Sequence, residues 1–313
     1  MDSCESFLEE KRCVLCGTDA YKVVYAYPPD YYAHSEYETC SWDGRAAIPL
    51  TLVQCSHCGL IYTRPSFKAD ALNRVYPDDI VADVSFASTL TLAKHRTLIE
   101  AAQRYLPGRK VLMDIGTRYG ALPRAAREAG YQAYGIEYNP ASVQLAASHG
   151  LDYVFQGTLD DLGAVARAIG LSSVDIVVLD DVLEHLVNPV EALERASLVQ
   201  RSGDGLILRQ MNWNSLGRHL FGARWYYIQP AAHMYYFDPH HVKLLLDKVG
   251  YDIVEVLTPN IFEAIPKTLW MTLRQLLRPR LHAPGCVHGD KPLYLSRRWR
   301  GWHDLFTVVA VKH

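Results

Sequence analysis

The sequence predicts an α/β protein: a mostly parallel sheet with helices on both faces, preceded by a small cysteine-bearing segment. Three observations predict it. Short β-branched runs alternate with helical stretches through the middle of the chain. The stretch Val111 to Leu122, "VLMDIGTRYGAL", reads as a strand, a glycine-framed turn and a helix. Two Cys-x2-Cys pairs lie near the start, in a chain whose composition argues against disulfides.

Composition bounds the rest. The 313 residues suit two domains, or one domain with additions, and 49% hydrophobic residues suffice for a core. A net charge of -2 creates no field that would draw the whole protein to nucleic acid or membrane. No apolar run is long enough to cross a bilayer, and the opening "MDSCESFLEEKR" lacks the apolar region of a signal peptide. A cytoplasmic protein with reduced cysteines is therefore expected.

The elements follow in order. Residues 1–85, rich in Cys, Tyr and Pro, form a metal-binding segment, and residues 86–313 form the α/β domain. A helix runs through "STLTLAKHRTLIEAAQRYL". Strands are expected at "KVLMDI", "QAYGIE", "DYVF", "VDIVVLD" and "GLILRQ", with helices near 121–129, 140–149, 160–169 and 189–200. The rhythm breaks around 212–238, where an aromatic loop is inserted, and again around 260–303. Between them, Asp238 and Pro239 start a helix, which places His240 and His241 on the surface. Strands "YDIVEVL" and "LFTVVAVK" complete the domain.

"CVLCG" (Cys13, Cys16) and "CSHCG" (Cys55, Cys58) pair as C-x2-C…C-x2-C, each followed by glycine. Two cysteines on a tight turn can point at one tetrahedral ion, and four thiolates close the site, so a structural Zn2+ is expected. Two unrelated reduced pairs are the alternative. His57 is a bystander within the second pair, and Cys4, Cys40 and Cys286 are expected as free thiols.

"GTRYG" lacks the G-x-G-x-x-G spacing of dinucleotide folds. Instead, Asp114 ends the first strand of the α/β domain, and Glu137 ends the second in "GIEYNP", where a carboxylate can accept two hydrogen bonds from ribose hydroxyls. "GTLDDL" follows strand three, and "DDVLEHLVNP" follows strand four. With the cysteine pairs and "RWYYIQPAAHMYYFDP", these motifs resemble the class I S-adenosylmethionine-dependent methyltransferases, in the branch with an N-terminal zinc-binding segment that includes sugar methyltransferases. The matching motifs span roughly residues 13 to 255.

That resemblance implies a Rossmann-like, seven-stranded, mostly parallel sheet whose last strand is antiparallel. It implies that Gly116 and Gly120 frame the turn beside the methionine part of the cofactor, with Asp114 ordering that turn. Glu137 would hold the ribose, Thr158 and Leu159 would flank the adenine, and Asp180 would lie near the cofactor's amino acid end. Arg118 stands where the family has a small residue. It either points outward and leaves the backbone amides free, reaches the cofactor carboxylate as a charged donor, or marks a degraded site.

Methyl transfer to an alcohol or carbon acid needs a base near neutral pKa, and histidine suits that role. His233, in the loop that the fold hangs over the cofactor, is the first candidate and His185 the second. Tyr76, at the junction after the cysteine segment, borders the acceptor pocket by resemblance. Sugar C-methylating relatives carry glutamate before the corresponding histidine. Here Ala231 and Ala232 stand there, which favours oxygen or nitrogen acceptors over carbon. Trp225, Tyr226, Tyr227, Tyr235 and Tyr236 suit either stacking on an acceptor or lid packing. The eight Lys and Arg between 267 and 300 face only Asp290 in charge, as an anionic handle on the acceptor would need or as a solvated basic face would show. The expected function is methyl transfer to a small polar acceptor, a sugar nucleotide or a glycosylated or other secondary metabolite, with neither nucleic acid nor membrane as partner. Alternatives are an RNA-modifying enzyme gripping through the cysteine segment, and a non-catalytic remnant of the fold.

Overall fold

A computed structural model of the protein describes residues 8–26, 51–68, 89–230, 232–258 and 303–313, with side chains of 89–94 excepted. Its centre is a seven-stranded sheet. The chain enters through α1 (Thr89–Tyr105) and winds through β6 (Val111–Ile115), α2 (Ala121–Glu128), β7 (Gln132–Glu137), α3 (Pro140–Ser148) and β8 (Val154–Gln156). It returns through α4 (Leu162–Ala168), β9 (Ile176–Asp180), α5 (Pro189–Leu198) and β10 (Gly205–Met211), then crosses α6 (Leu216–Phe221). α7 (Pro239–Val249), β12 (Tyr251–Leu257) and β13 (Leu305–Lys312) close it.

The strand order is β12-β13-β10-β9-β6-β7-β8. The five strands β6 to β10 run parallel to one another, and β13 runs antiparallel to both β10 and β12. This is the expected sheet, reversed last strand included. Its central strands read as near-continuous apolar runs because both faces are covered: β10 is buried along its whole length. On one face Leu112, Ile176, Val178 and Ile207 pack against Leu98 and Ala102 of α1 and Leu122 and Ala126 of α2. On the other, Met113, Val177, Leu179 and Leu208 pack with Leu193 of α5 and Leu245 of α7. Three helices start alike, with Asn139, Asn188 and Asp238 each accepting a backbone N–H and a proline following. Among the described residues no helix is long and apolar enough to cross a membrane.

The cysteine segment contributes β1 (Leu8–Glu9), β2 (Tyr21–Ala26), β3 (Thr51–Cys55), β4 (Ile61–Arg64) and β5 (Ser66–Phe67). β1 pairs with β5, and β2, β3 and β4 form an antiparallel sheet. That sheet takes its fourth strand from far along the chain: β11 (Tyr235–Tyr236) pairs with β4, so the order is β11-β4-β3-β2. The apolar core is shared too. Cys13, Leu15, Val53, Leu60 and Tyr62 belong to the same buried cluster as Leu179 and Phe237. Burying one such large side chain is worth about 1.5–3 kcal/mol, against about 0–1 for an exposed ion pair. Core contacts therefore hold the segment more than its surface charges do.

One expectation is corrected here. His240 is exposed, but His241 is 6% exposed. Its Nδ1 lies 2.7 Å from Asp238 Oδ1, and its Nε2 donates to Cys58 O at 3.1 Å. The cysteine segment covers the helix start that the sequence alone leaves open.

Candidate active site

The sheet order sets the carboxyl ends of β6, β7 and β9 close together, the place where open α/β sheets hold ligands. Asp114 is buried within β6. Gly116 (φ 70°) and Gly120 (φ 82°) then frame the turn. A Cβ on Gly116 would stand 2.7 Å from Val182 Cγ2, and one on Gly120 2.6 Å from Val154 Cγ2, so packing as well as backbone angle demands glycine at both. The amides of Gly116 and Thr117 donate to Ile136 O at 2.8 and 3.2 Å, which stitches the turn to β7.

Glu137, 8% exposed, holds this corner together. Its Oε2 accepts from Arg118 N at 2.6 Å and its Oε1 from Asn139 N at 2.8 Å. A carboxylate has about four acceptor sites, so each oxygen keeps one for a hydroxyl of a vicinal diol. Arg118 adopts φ 53° although it is not glycine, and its side chain is exposed. The expectation that an outward arginine leaves its backbone amide free is corrected, because Glu137 takes that amide.

Thr158 caps the short turn Leu159–Asp161 in a reciprocal box: Asp160 N donates to Thr158 Oγ1 at 3.2 Å, and Thr158 N donates to Asp161 Oδ2 at 2.8 Å. Leu159 puts its side chain in the core, which leaves its backbone as the part a ligand could meet. Asp180 ends β9 and is paired with Arg209 Nη2 at 2.6 Å. The same guanidinium reaches Asp181 Oδ2 at 3.4 Å, and Asp181 sits at φ 56°. Sequence reasoning missed this arginine. The available signal was a cation inside the apolar central strand β10, which demands a buried anionic partner.

Two histidines meet beyond the end of β9. His185 belongs to the turn Leu183–His185 after β9, and His233 to the loop before β11. Their rings stand 4.8 Å apart, edge to face. His233 Nδ1 lies 2.9 Å from Tyr227 O, and His185 Nδ1 lies 2.9 Å from Ala232 O. A carbonyl only accepts, so each Nδ1 carries the proton and each Nε2 of a neutral ring keeps its lone pair. Burial, reinforced by the neighbouring His185, holds His233 well below the ordinary histidine pKa. Burial lowers His185 as well, and the Arg118 charge adds to that. Glu184, absent from the sequence-based site, lies 2% exposed beside them, and burial followed by the Asp181 charge pushes its carboxyl up to about 8. Glu184, His185 and His233 each offer one donor atom within 4.8 Å of the others. Two neutral imidazoles and a carboxyl that is mostly protonated at neutral pH can accept and pass protons, and the same set could also hold a cation.

The aromatic loop divides. Trp225 is 1% exposed and donates from Nε1 to Asp304 Oδ1 at 2.9 Å. Tyr235 donates its hydroxyl to Val187 O at 2.9 Å, and the Tyr236 hydroxyl accepts from Gln229 N at 3.1 Å. These three are packing residues, while Tyr226 and Tyr227 are partly buried, Tyr227 against the cluster that holds Trp225 and Tyr236. Tyr76, the basic residues from Lys267 to Arg300, and Cys4, Cys40 and Cys286 lie outside the described residues.

The four cysteines converge. Cys13 Sγ is 3.4 Å from Cys58 Sγ, Cys16 Sγ is 3.5 Å from Cys55 Sγ, and all four lie within 4.8 Å of one another. Tetrahedral Zn–S bonds of about 2.3 Å put sulfurs roughly 3.8 Å apart, so the set fits one ion. His57 N and Cys58 N both point at Cys55 Sγ at 3.4 Å, as donors to a thiolate do. Gly17 (φ 74°) and Gly59 (φ 82°) turn the chain away after each pair.

A family model described as a methyltransferase domain matches residues 89–256, more than half of the chain. Ubiquinone biosynthesis O-methyltransferase of Hahella chejuensis is 31% identical over 115 residues, covering 35% of this chain and 46% of that protein. The protein of the same name from Haemophilus ducreyi is 26% identical over 119 residues, 36% and 50% of the two chains. The chain thus spans about half the length of the curated relatives it matches. Among solved structures, an S-adenosylmethionine-dependent methyltransferase from Archaeoglobus fulgidus superposes with TM-score 0.46 at 15% identity, over 70% of this chain and 94% of that one. An amino pentose methyltransferase from Micromonospora echinaspora superposes with TM-score 0.32 at 21% identity, over 38% and 50%. With the family model over residues 89–256 and the seven-stranded sheet reversed at its last strand, the chain belongs to the class I S-adenosylmethionine-dependent methyltransferases.

Proposed function

We propose that the protein transfers a methyl group from S-adenosylmethionine to an oxygen or nitrogen of a small polar acceptor in the cytoplasm, with His233 as the acceptor-side base. The acceptor class we favour is a sugar nucleotide or a glycosylated or other secondary metabolite. The curated relatives are named as O-methyltransferases, which agrees with an oxygen acceptor. We assign the basic residues between 267 and 300 to an anionic group of the acceptor, on their composition. The four cysteines hold a structural zinc in the first 85 residues, and residues 86–313 form the catalytic domain.

When bound, the cofactor supplies a methyl group already made electrophilic by its sulfonium. The chain's own task is alignment and proton removal. Glu137 accepts from the ribose with the lone pairs its backbone donors leave over. The turn from Gly116 to Gly120 and the Asp180–Arg209 pair shape the amino acid end. Thr158 and the backbone of Leu159 border the adenine. His233 Nε2 takes the acceptor's proton, and His185 and Glu184 form its polar surroundings.

The observation that carries this reading is the His233 Nδ1 to Tyr227 O bond, which fixes the tautomer that leaves Nε2 unprotonated in a buried site. The test pairs labelled methyl donor with a panel of nucleotide sugars, phenols and amines. His233→Ala should lower turnover with an alcohol acceptor by about 10²–10⁴ while cofactor affinity by calorimetry stays near wild type. Because burial lowers the His233 pKa, the acid limb of kcat/KM should fall below the ordinary histidine value near 6.5. Full activity of His233→Ala on an alcohol would remove the assignment.

A further inference from the structure

We propose that the cysteine-bearing segment positions His233, and that Thr63 is the residue through which it does so. The proposal rests on the reading of His233 as the base. His233 lies in a stretch, 225–234, that has neither helix nor strand of its own among its described residues. Such a stretch presents a side chain reproducibly only where neighbouring elements fix its backbone.

Two of the contacts on His233 are local. Its N–H donates to Gln229 O at 2.7 Å, and its ring to Tyr227 O at 2.9 Å. Both partners belong to the same loop and would move with it. Anchorage comes from two flanks. On one, Met234 N donates to Glu184 O at 2.8 Å, and the His185 ring donates to Ala232 O at 2.9 Å. On the other stands β4. Thr63 N donates to Met234 O at 2.9 Å, and Thr63 Oγ1 donates to the carbonyl of His233 itself at 3.0 Å. Thr63 is 1% exposed, so no water competes for that bond.

β4 takes its own position from the cysteine cluster. It begins three residues after Cys58, and Cys55 N donates to Leu60 O at 2.9 Å, which closes the second cysteine turn onto the strand. β4 then pairs Tyr62 with Tyr235 and Ile61 with Tyr236. His241 Nε2 donates to Cys58 O, a second tie between the cysteine turn and the element after the loop. Gathering the four thiolates thus sets the start of β4, and Thr63 passes that position to the main chain of His233. Without the hydroxyl, a buried carbonyl loses its donor, and the β4 flank keeps Met234 through Thr63 N but no longer holds the main chain of His233 itself.

The test reads His233 directly and needs no acceptor. Full-length protein labelled with 15N and 13C in histidine is examined by imidazole NMR, with the His233 signals identified by their loss in His233→Asn. Thr63→Val keeps the shape of the side chain and removes the hydroxyl. It should move or double the His233 ring signals by more than a linewidth and leave the exposed His149 ring unchanged. Thr63→Ser should restore the wild-type signals, and the cofactor Kd of all three proteins should agree within about twofold. Stripping metal from the wild-type protein with a chelator should move the His233 signals in the same direction as Thr63→Val, while in a uniformly 15N-labelled sample the amide signals of β6 and β9 stay put. Unmoved His233 signals in Thr63→Val, or after metal release, overturn the proposal, as does failure of Thr63→Ser to restore them. The base reading fails separately, on full turnover of His233→Ala, and leaves the ring shifts as they are.

Discussion

Glu137 has two loads to carry. Its oxygens accept from the amides of Arg118 and Asn139, and in the role we propose the remaining lone pairs take the ribose hydroxyls. Glu137→Ala therefore removes the ribose acceptor and releases the turn at once. We expect it to weaken S-adenosylmethionine binding by about 1.5–3 kcal/mol, the scale of hydrogen bonds to a charged group. An unchanged Kd by calorimetry would show the ribose to be held elsewhere. Arg118 poses the opposite question. Its φ of 53° strains a residue with a Cβ by roughly 1–2 kcal/mol. Glycine would relieve that strain but add about 0.5–1 kcal/mol of unfolded-chain entropy, so the two effects partly offset. Arg118→Gly should thus not lower stability, and a change in cofactor affinity reports on the side chain. Its exposed guanidinium at the mouth of the turn suits the cofactor carboxylate, so we expect affinity to fall. A gain in affinity would show instead that the side chain obstructs the site.

At the scale of elements, the segment Asp180 to Val187 concentrates charge that the fold must neutralise. Arg209 serves Asp180 and Asp181, and Glu184 is kept mostly protonated by burial and the Asp181 charge. The folded pKa of Glu184 lies above its unfolded value near 4.5, so its contribution to stability is complete below that value and declines as pH rises towards about 8. His233, with a lowered pKa, acts in the other direction and only below about 6.5. Between pH 7 and 8 the Glu184 effect stands alone of the two. Wild-type stability should fall there by up to about 1 kcal/mol, and Glu184→Gln should flatten the slope in urea denaturation. Equal slopes would place the carboxyl in a more polar setting. The same segment shows what the sequence makes legible. β6 and β9 were readable because strands buried on both faces are apolar throughout, and three helix starts because Asn or Asp followed by Pro is a local signal. Glu184 was not, since a glutamate in a short loop looks solvated until its neighbours are known. β11 was not either: two tyrosines carry no period, and the strand exists only because β4 lies beside it. The surface reading of His241 failed for the same reason. Helical period tells which residues share a face, not which distant segment covers it.

Among the described residues the two larger sheets are joined through a shared core, and they differ in what keeps them folded. In the seven-stranded sheet, apolar strands are covered on both faces by helices. The β11-β4-β3-β2 sheet is short, and Tyr21 and Val23 of β2 are exposed at its edge. A structural zinc supplies roughly 10–16 kcal/mol of binding free energy in small peptides, as much as the whole stability of a typical domain at about 5–15. The small sheet should therefore depend on metal while the large one does not. Cys55 is the place to test this, because it is 2% exposed, ends β3, and receives the amides of His57 and Cys58 on its sulfur. A serine there offers a harder, shorter donor, a poor replacement for a thiolate on zinc. Wild-type protein should carry about one zinc per chain, and Cys55→Ser should lose it. In hydrogen exchange of the variant, β3 and β4 should lose protection, and β11 should lose it with them although 170 residues separate it from β4 along the chain. The amides of β6, β9 and β10 should stay protected. Retention of metal by Cys55→Ser would remove that cysteine from the site. Loss of protection in both sheets together would show that the shared cluster around Leu60 and Tyr62 makes them one cooperative unit, with zinc stabilising the entire fold.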